Sequence, residues 1–156
     1  MPAPPPPPLP APTLYPLVPA DAPACLALDR AALGGLWNLE QWQRELEEDG
    51  RPGLGLRQGP ELLAMASGWL VVDELHITLV AVAPDERRRG LGRRVLQELM
   101  GAARERGATR ATLEVAAGNG PGIALYGTLG FRTAGIRHGY YRNGEDALIQ
   151  WVNLTT

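Results

Sequence analysis

The stretch Val80-Ala81-Val82-Ala83-Pro84-Asp85-Glu86-Arg87-Arg88-Arg89-Gly90-Leu91-Gly92-Arg93-Arg94 runs from an apolar segment through a charged loop to two closely spaced glycines. Beyond it, Leu91, Val95, Leu99 and Ala103 recur at helical spacing, and Gly107 ends the pattern. The reading is therefore strand, loop, then helix. A helix start exposes unpaired N–H groups and carries partial positive charge. Five arginines gather there, which is the wrong sign for the dipole. A bound diphosphate reconciles them, because glycines let the backbone approach and the N–H groups become ligands. A solvated basic loop paired with Asp85 and Glu86 is the other reading. A P-loop is excluded, since the chain has no lysine. A dinucleotide fingerprint fails because Val95 stands where its third glycine belongs.

Working outward, residues 1–12 hold eight prolines. Proline fixes φ and lacks a donor, so a disordered, solvated polyproline tail is expected there, with one folded domain over 13–156. Thr13 to Val18 reads as a strand. Asp21 is placed to cap a helix with Pro23 in its first turn, ending at Gly34-Gly35. Asn38 and Gln41 form a capping box for a second helix, with Trp37 and Trp42 at staple spacing. The acidic run Glu45 to Asp49 reads as a solvated face, and the four tryptophans as core or staple residues.

Gly53 to Gln58, Leu62 to Val72 and Leu75 to Val82 read as an antiparallel meander. Thr109 to Val115 is a strand, Asn119 to Leu129 a short helix, and Phe131 to Tyr140 and Ala147 to Asn153 two closing strands. The expectation is an α/β fold: a single mixed, mostly antiparallel sheet of about seven strands flanked by about four helices.

Composition narrows the function classes. A formal net charge of −2 gives no nucleic-acid signature, although eight of the fifteen arginines fall between Arg87 and Arg110. The one cysteine, Cys25, allows neither an internal disulfide nor a cysteine zinc site. No metal-ligand spacing is present, so no metal is expected. No apolar run reaches the ~18 residues of a membrane span, and no secretory signal opens the chain. A cytoplasmic protein is the expectation. Nothing in the sequence fixes an oligomeric state.

Arg87-x-x-Gly90-x-Gly92 resembles the acyl-CoA signature of the GNAT superfamily, Gln/Arg-x-x-Gly-x-Gly/Ala. Downstream, Leu113-Glu114-Val115, Asn119, Ile123-Ala124-Leu125-Tyr126 and Leu129-Gly130-Phe131 resemble the RimI branch, the ribosomal-protein-alanine N-acetyltransferases. Tyr140-Tyr141 and Glu145-Asp146-Ala147 are similar to the same branch. The resemblance implies the GNAT fold and acetyl-CoA as co-substrate. It implies that Arg87, Arg88, Arg89, Gly90, Leu91, Gly92 and Arg93 form the diphosphate site. It also implies that the main chain of Val80, Ala81 and Val82 pairs with pantetheine, and that Asn119 contacts CoA. The implied acceptor is the N-terminal α-amine of a ribosomal protein, with a small-molecule amine as the alternative.

Acetyl transfer needs a base for the amine, a donor for the developing oxyanion and an acid for the departing thiolate. Glu114 alternates onto the face of Thr112, away from Ala111, Leu113 and Val115. It suits a general base acting directly or through water; the other reading is one half of an ion pair with an arginine. Tyr126 could simply pack, but the resemblance makes it the general acid. The N–H near Val82 is the candidate oxyanion donor. Tyr140 and Tyr141 either line the acceptor groove or are ordinary strand aromatics. His76 reads as a sheet residue and His138 as a surface residue. Ala116, Gly118 and Gly139 depart from the branch's usual residues, which leaves acceptor choice open.

Overall fold

A computed structural model describes residues 2–6 and 10–155 of the chain. The expected tail, residues 1–12, therefore lies partly outside the described residues. Where it is described, the Pro10 carbonyl accepts from Gln58 Nε2 at 2.7 Å and the Pro12 carbonyl from Arg94 Nη1 at 3.0 Å.

Among the described residues the elements run β1 (Thr13–Pro16), α1 (Ala22–Leu33), α2 (Leu39–Glu47), β2 (Gly53–Gln58), β3 (Glu61–Val71), β4 (Glu74–Val82), α3 (Leu91–Glu105), β5 (Arg110–Ala116), α4 (Gly120–Thr128), β6 (Arg132–Arg137) and β7 (Ala147–Asn153). The seven strands form one sheet in the order β1-β2-β3-β4-β5-β7-β6. Every neighbouring pair is antiparallel except β4 and β5. A parallel pair needs a crossover, and α3 supplies it. The expected fold class and element order hold.

α3 sits on one face because its buried residues, Leu91, Val95, Leu96, Leu99 and Ala103, form one stripe. They pack with Leu63, Leu75, Ala111, Leu113 and Val115 from the sheet, and Ile123 and Tyr126 of α4, with Leu129 just past its end, join that side. On the other face α1 and α2 place Cys25, Leu28 and Trp42 against Met65, Leu79 and Ala81. β3 is buried on both sides for most of its length, as a central strand should be.

The helices α1 and α2 are joined around Asp29, which is fully buried. Its carboxylate accepts from Leu36 N at 2.8 Å, Trp37 N at 3.1 Å and Trp42 Nε1 at 3.1 Å. Removing it orphans several buried donors at once. Asp29→Ala is expected to cost about 3 kcal/mol, read as a lower urea midpoint at an unchanged slope.

Four local expectations need correction. Asp21 does not cap α1 with its side chain; its carboxylate accepts from Val18 N at 2.8 Å and from Arg57 at 2.9 Å, closing a 3-10 turn before the helix. Glu45 is not solvated but 5% exposed, accepting from Trp69 Nε1 and Arg51 Nη1, both at 2.7 Å. Of the tryptophans, Trp42 is fully buried, while Trp69 and Trp151 are exposed. β6 stops at Arg137 rather than Tyr140. There Asp146 Oδ1 accepts from Gly139 N at 2.9 Å, and Gly139 takes φ +62, so the chain turns. By contrast the Asn38–Gln41 capping box is present, with both bonds at 2.8 Å. Trp37 and Trp42 meet edge to face at 4.8 Å.

Candidate active site

β4 and β5 part company early. Their parallel pairing covers Glu74↔Arg110, Leu75↔Ala111 and His76↔Thr112. Beyond that, β4 stays with β3 as far as Ala64↔Val82, and β5 stays with β7 as far as Ala116↔Ala147. A register shift in β3–β4 between Ser67 and Gly68 lies just where the strands begin to diverge, and bulges increase local twist. The result is a fork in the sheet. Along it, the last residues of β4 have a strand neighbour on one side, leaving main-chain groups available to a ligand. The fork also lies at the carboxyl ends of the parallel β4–β5 pair, where open α/β sheets place their crevices.

A cavity of about 840 Å³ occupies this position. Val80, Ala81 and Val82 form one wall, and Arg87, Arg88, Gly90, Leu91, Gly92 and Arg93 a second. Asn119, Leu125 and Tyr126 of the α4 region form a third, and Ala32 and Leu33 at the end of α1 complete it. Eleven of the residues singled out from the sequence thus meet in one cavity. Arg89 does not line it; its guanidinium is paired with Glu86. Glu114, Tyr140 and Tyr141 also lie outside the lining.

The α3 end of the cavity has the features of an anion cradle. Gly90 precedes the helix at φ +74, and no side chain caps its first amides. The first intrahelical bond from this end runs from Arg94 N to the Gly90 carbonyl, at 3.0 Å. Arg88 has φ +70, a strained setting for a residue with a Cβ and of a kind that collects at ligand sites. A Cβ at Gly92 would meet Val82 Cγ2 at 3.2 Å, so glycine lets α3 close onto β4. Uncapped amides, arginines and a close glycine together fit a diphosphate. Among the described residues no group of three or more His, Cys, Asp or Glu is placed to hold a metal ion.

Asn119 caps α4 as expected, accepting from Gly122 N at 3.0 Å, while also lining the cavity. Tyr126 packs edge to face on Phe131 at 5.8 Å. Burial pushes its phenol above the ordinary value, and Tyr141 adds to the rise. A phenol so placed keeps its proton across physiological pH.

Glu114 stands on the opposite face of the sheet from α3, as the alternation requires. Its Oε2 is 3.3 Å from His76 Nε2, and its Oε1 is 3.9 Å from Arg137 Nη2. Burial chiefly, then Tyr140, Glu114 and Glu145, raise the Tyr141 phenol above its ordinary value. Tyr140 and Tyr141 meet edge to face at 5.1 Å in the β6–β7 loop.

The departures at Gly118 and Gly139 prove to be one feature. Glu145 Oε2 accepts from Gly118 N at 2.6 Å and would lie 2.5 Å from a Cβ there. Asp146 holds Gly139 N through its carboxylate and Ala117 N through its carbonyl, at 2.9 Å each. The β5–α4 and β6–β7 loops are thus tied together beside Tyr140 and Tyr141. His76 and the α1 end were not among the residues expected here. Nothing in the sequence marks Leu33, and His76 gains its place only from the β4–β5 register that sets it opposite Thr112.

The acetyltransferase (GNAT) family model matches residues 22–131. The chain belongs to the GNAT family. It is an acetyl-CoA-dependent N-acetyltransferase on the GNAT fold. The [ribosomal protein bS18]-alanine N-acetyltransferase of Escherichia coli K12 is 35% identical over 146 residues, which is 92% of this chain and 98% of that one. The N-alpha-acetyltransferase RimI of Mycobacterium tuberculosis is 34% identical over 142 residues, 86% of this chain and 88% of that protein. The crystal structure of the E. coli ribosomal-protein-S18-alanine N-acetyltransferase superposes with a TM-score of 0.86 at 33% identity, covering 93% of this chain and 95% of that chain.

Proposed function

We propose that this GNAT enzyme acetylates the N-terminal α-amine of a small-subunit ribosomal protein beginning with alanine, in the cytoplasm. The observation that carries the reading is the fork where the β4–β5 pairing ends, with Tyr126 and Glu114 on its two sides. Tyr126 lines the donor cavity on the α3 side, and Glu114 stands on the other. An extended peptide end can approach from the Glu114 face while the donor occupies the α3 face. The relatives in E. coli, named for bS18 alanine acetylation, span nearly the whole chain and support this acceptor class.

Acetyl-CoA supplies the acetyl group on a thioester. The amides of Leu91, Gly92 and Arg93, with Arg87 and Arg88, hold its diphosphate. Arg89 contributes its backbone rather than its side chain. The main chain of Val80 to Val82 holds the pantetheine arm, and Asn119 closes the far wall. Glu114, directly or through water, takes a proton from the attacking amine as the C–N bond forms. An N–H near Val82 receives the charge developing on the carbonyl oxygen. Tyr126 gives its proton to the sulfur as the C–S bond breaks. Tyr140 and Tyr141, in the loop held by Glu145 and Asp146, border the acceptor path.

The test is incubation with acetyl-CoA and an alanine-initiated ribosomal hexapeptide, following thiol release and peptide mass. Thiol release with one acetyl group on the α-amine is the expected result. Acetylation of small amines, with no peptide modified, would overturn the acceptor assignment.

A further inference from the structure

The imidazole of His76 sits where β4 and β5 part, at the last parallel register pair, His76↔Thr112. Its Nδ1 lies 3.2 Å from Thr112 Oγ1 and its Nε2 3.3 Å from Glu114 Oε2. Trp69 flanks the ring at 6.5 Å, and Trp69 is itself held by Glu45 and by the Arg51 guanidinium, 4.6 Å from its centroid. The ring is therefore fixed from two strands.

A neutral imidazole has one N–H to give. The Thr112 hydroxyl, donating to Nδ1, selects the tautomer with the proton on Nε2. That proton then goes to Glu114. The resulting chain is Thr112 to His76 to Glu114, each donating to the next. The other claimant on Glu114 is Arg137, at 3.9 Å from Oε1. A guanidinium in a bidentate pair occupies both carboxylate oxygens. A single N–H on one oxygen orients the group and leaves the second oxygen open to the amine.

We infer that His76 is a positioning residue for Glu114, holding its carboxylate at the fork and away from closure onto Arg137. This rests on the reading of Glu114 as the base.

The experiment measures kcat, and KM for acetyl-CoA, for His76→Ala, His76→Gln and Glu114→Gln, and for His76→Ala combined with Glu114→Gln or with Arg137→Gln. Thermal unfolding confirms that each variant is folded. His76→Ala is expected to lose ~10-fold in kcat, since small misplacement of a reacting group costs one to two orders of magnitude, with KM for acetyl-CoA within about twofold. His76→Gln, whose amide can donate from a similar place, should recover to within about threefold. Arg137→Gln should restore rate to the His76→Ala enzyme by removing the competing partner. In the Glu114→Gln background His76→Ala should cost nothing further. A slow Glu114→Gln beside an unimpaired His76→Ala would overturn this inference alone, as would equal losses from His76→Ala in both backgrounds. Full turnover by Glu114→Gln would remove the base assignment and this inference with it.

Discussion

Tyr126→Phe is expected to lower kcat by ~10²-fold, the range of a lost general acid, while KM for acetyl-CoA stays close to its original value. The ring is retained by the substitution, so the edge-to-face contact with Phe131 at 5.8 Å survives. What is lost is one hydroxyl at the cavity wall. Burial, with Tyr141 adding to it, raises this phenol above 10. The sign follows directly: a raised pKa means the proton is held at every pH below that value and lost above it. The phenol therefore keeps its proton throughout the physiological range, and any alkaline fall in kcat due to Tyr126 lies above pH 10. The phenylalanine variant should lack that limb altogether. Steady-state kinetics between pH 6 and 10.5 would check both points. A rate within threefold of the original would reduce Tyr126 to a packing residue.

Local periodicity carried much of this architecture, and the reason is physical. α3 buries one stripe, so Leu91, Val95, Leu99 and Ala103 announce it. The capping box at Asn38 and Gln41 is complete within four residues, so sequence alone exposes it. The cavity-lining residues were legible for the same reason: Val80 to Val82, Arg87, Arg88 and Gly90 to Arg93 lie close together in the chain, and one crossover delivers them to the cavity. What escaped was set by pairing between distant strands. The fork depends on where β4 and β5 cease to pair, and no local pattern records that. Glu45 sits in an acidic run that looks solvated, yet Trp69, 24 positions away, reaches it through its indole N–H. β6 ends early because Asp146, seven residues on, turns the chain at Gly139. His76 alternates like any strand residue. Its meaning comes from Thr112 and Glu114 across the sheet.

Glu114→Gln tests the other half of the chemistry, and its geometry separates a base from an ion-pair partner. Glutamine keeps the size of the side chain and an oxygen that can accept from His76 Nε2, now 3.3 Å from Glu114 Oε2. The contact with Arg137 at 3.9 Å loses its charge, but the guanidinium is more than half exposed, so little stability depends on it. If Glu114 is the base, kcat at pH 7 should fall ~10²-fold with a near-unchanged melting temperature. The deficit should also shrink with rising pH. A peptide α-amine titrates near 7.7–8.0, so at pH 9 solvent has already removed the proton that Glu114 would take. The ratio of original to variant rates should therefore narrow between pH 7 and 9. An ion-pair role predicts a rate ratio near one at every pH.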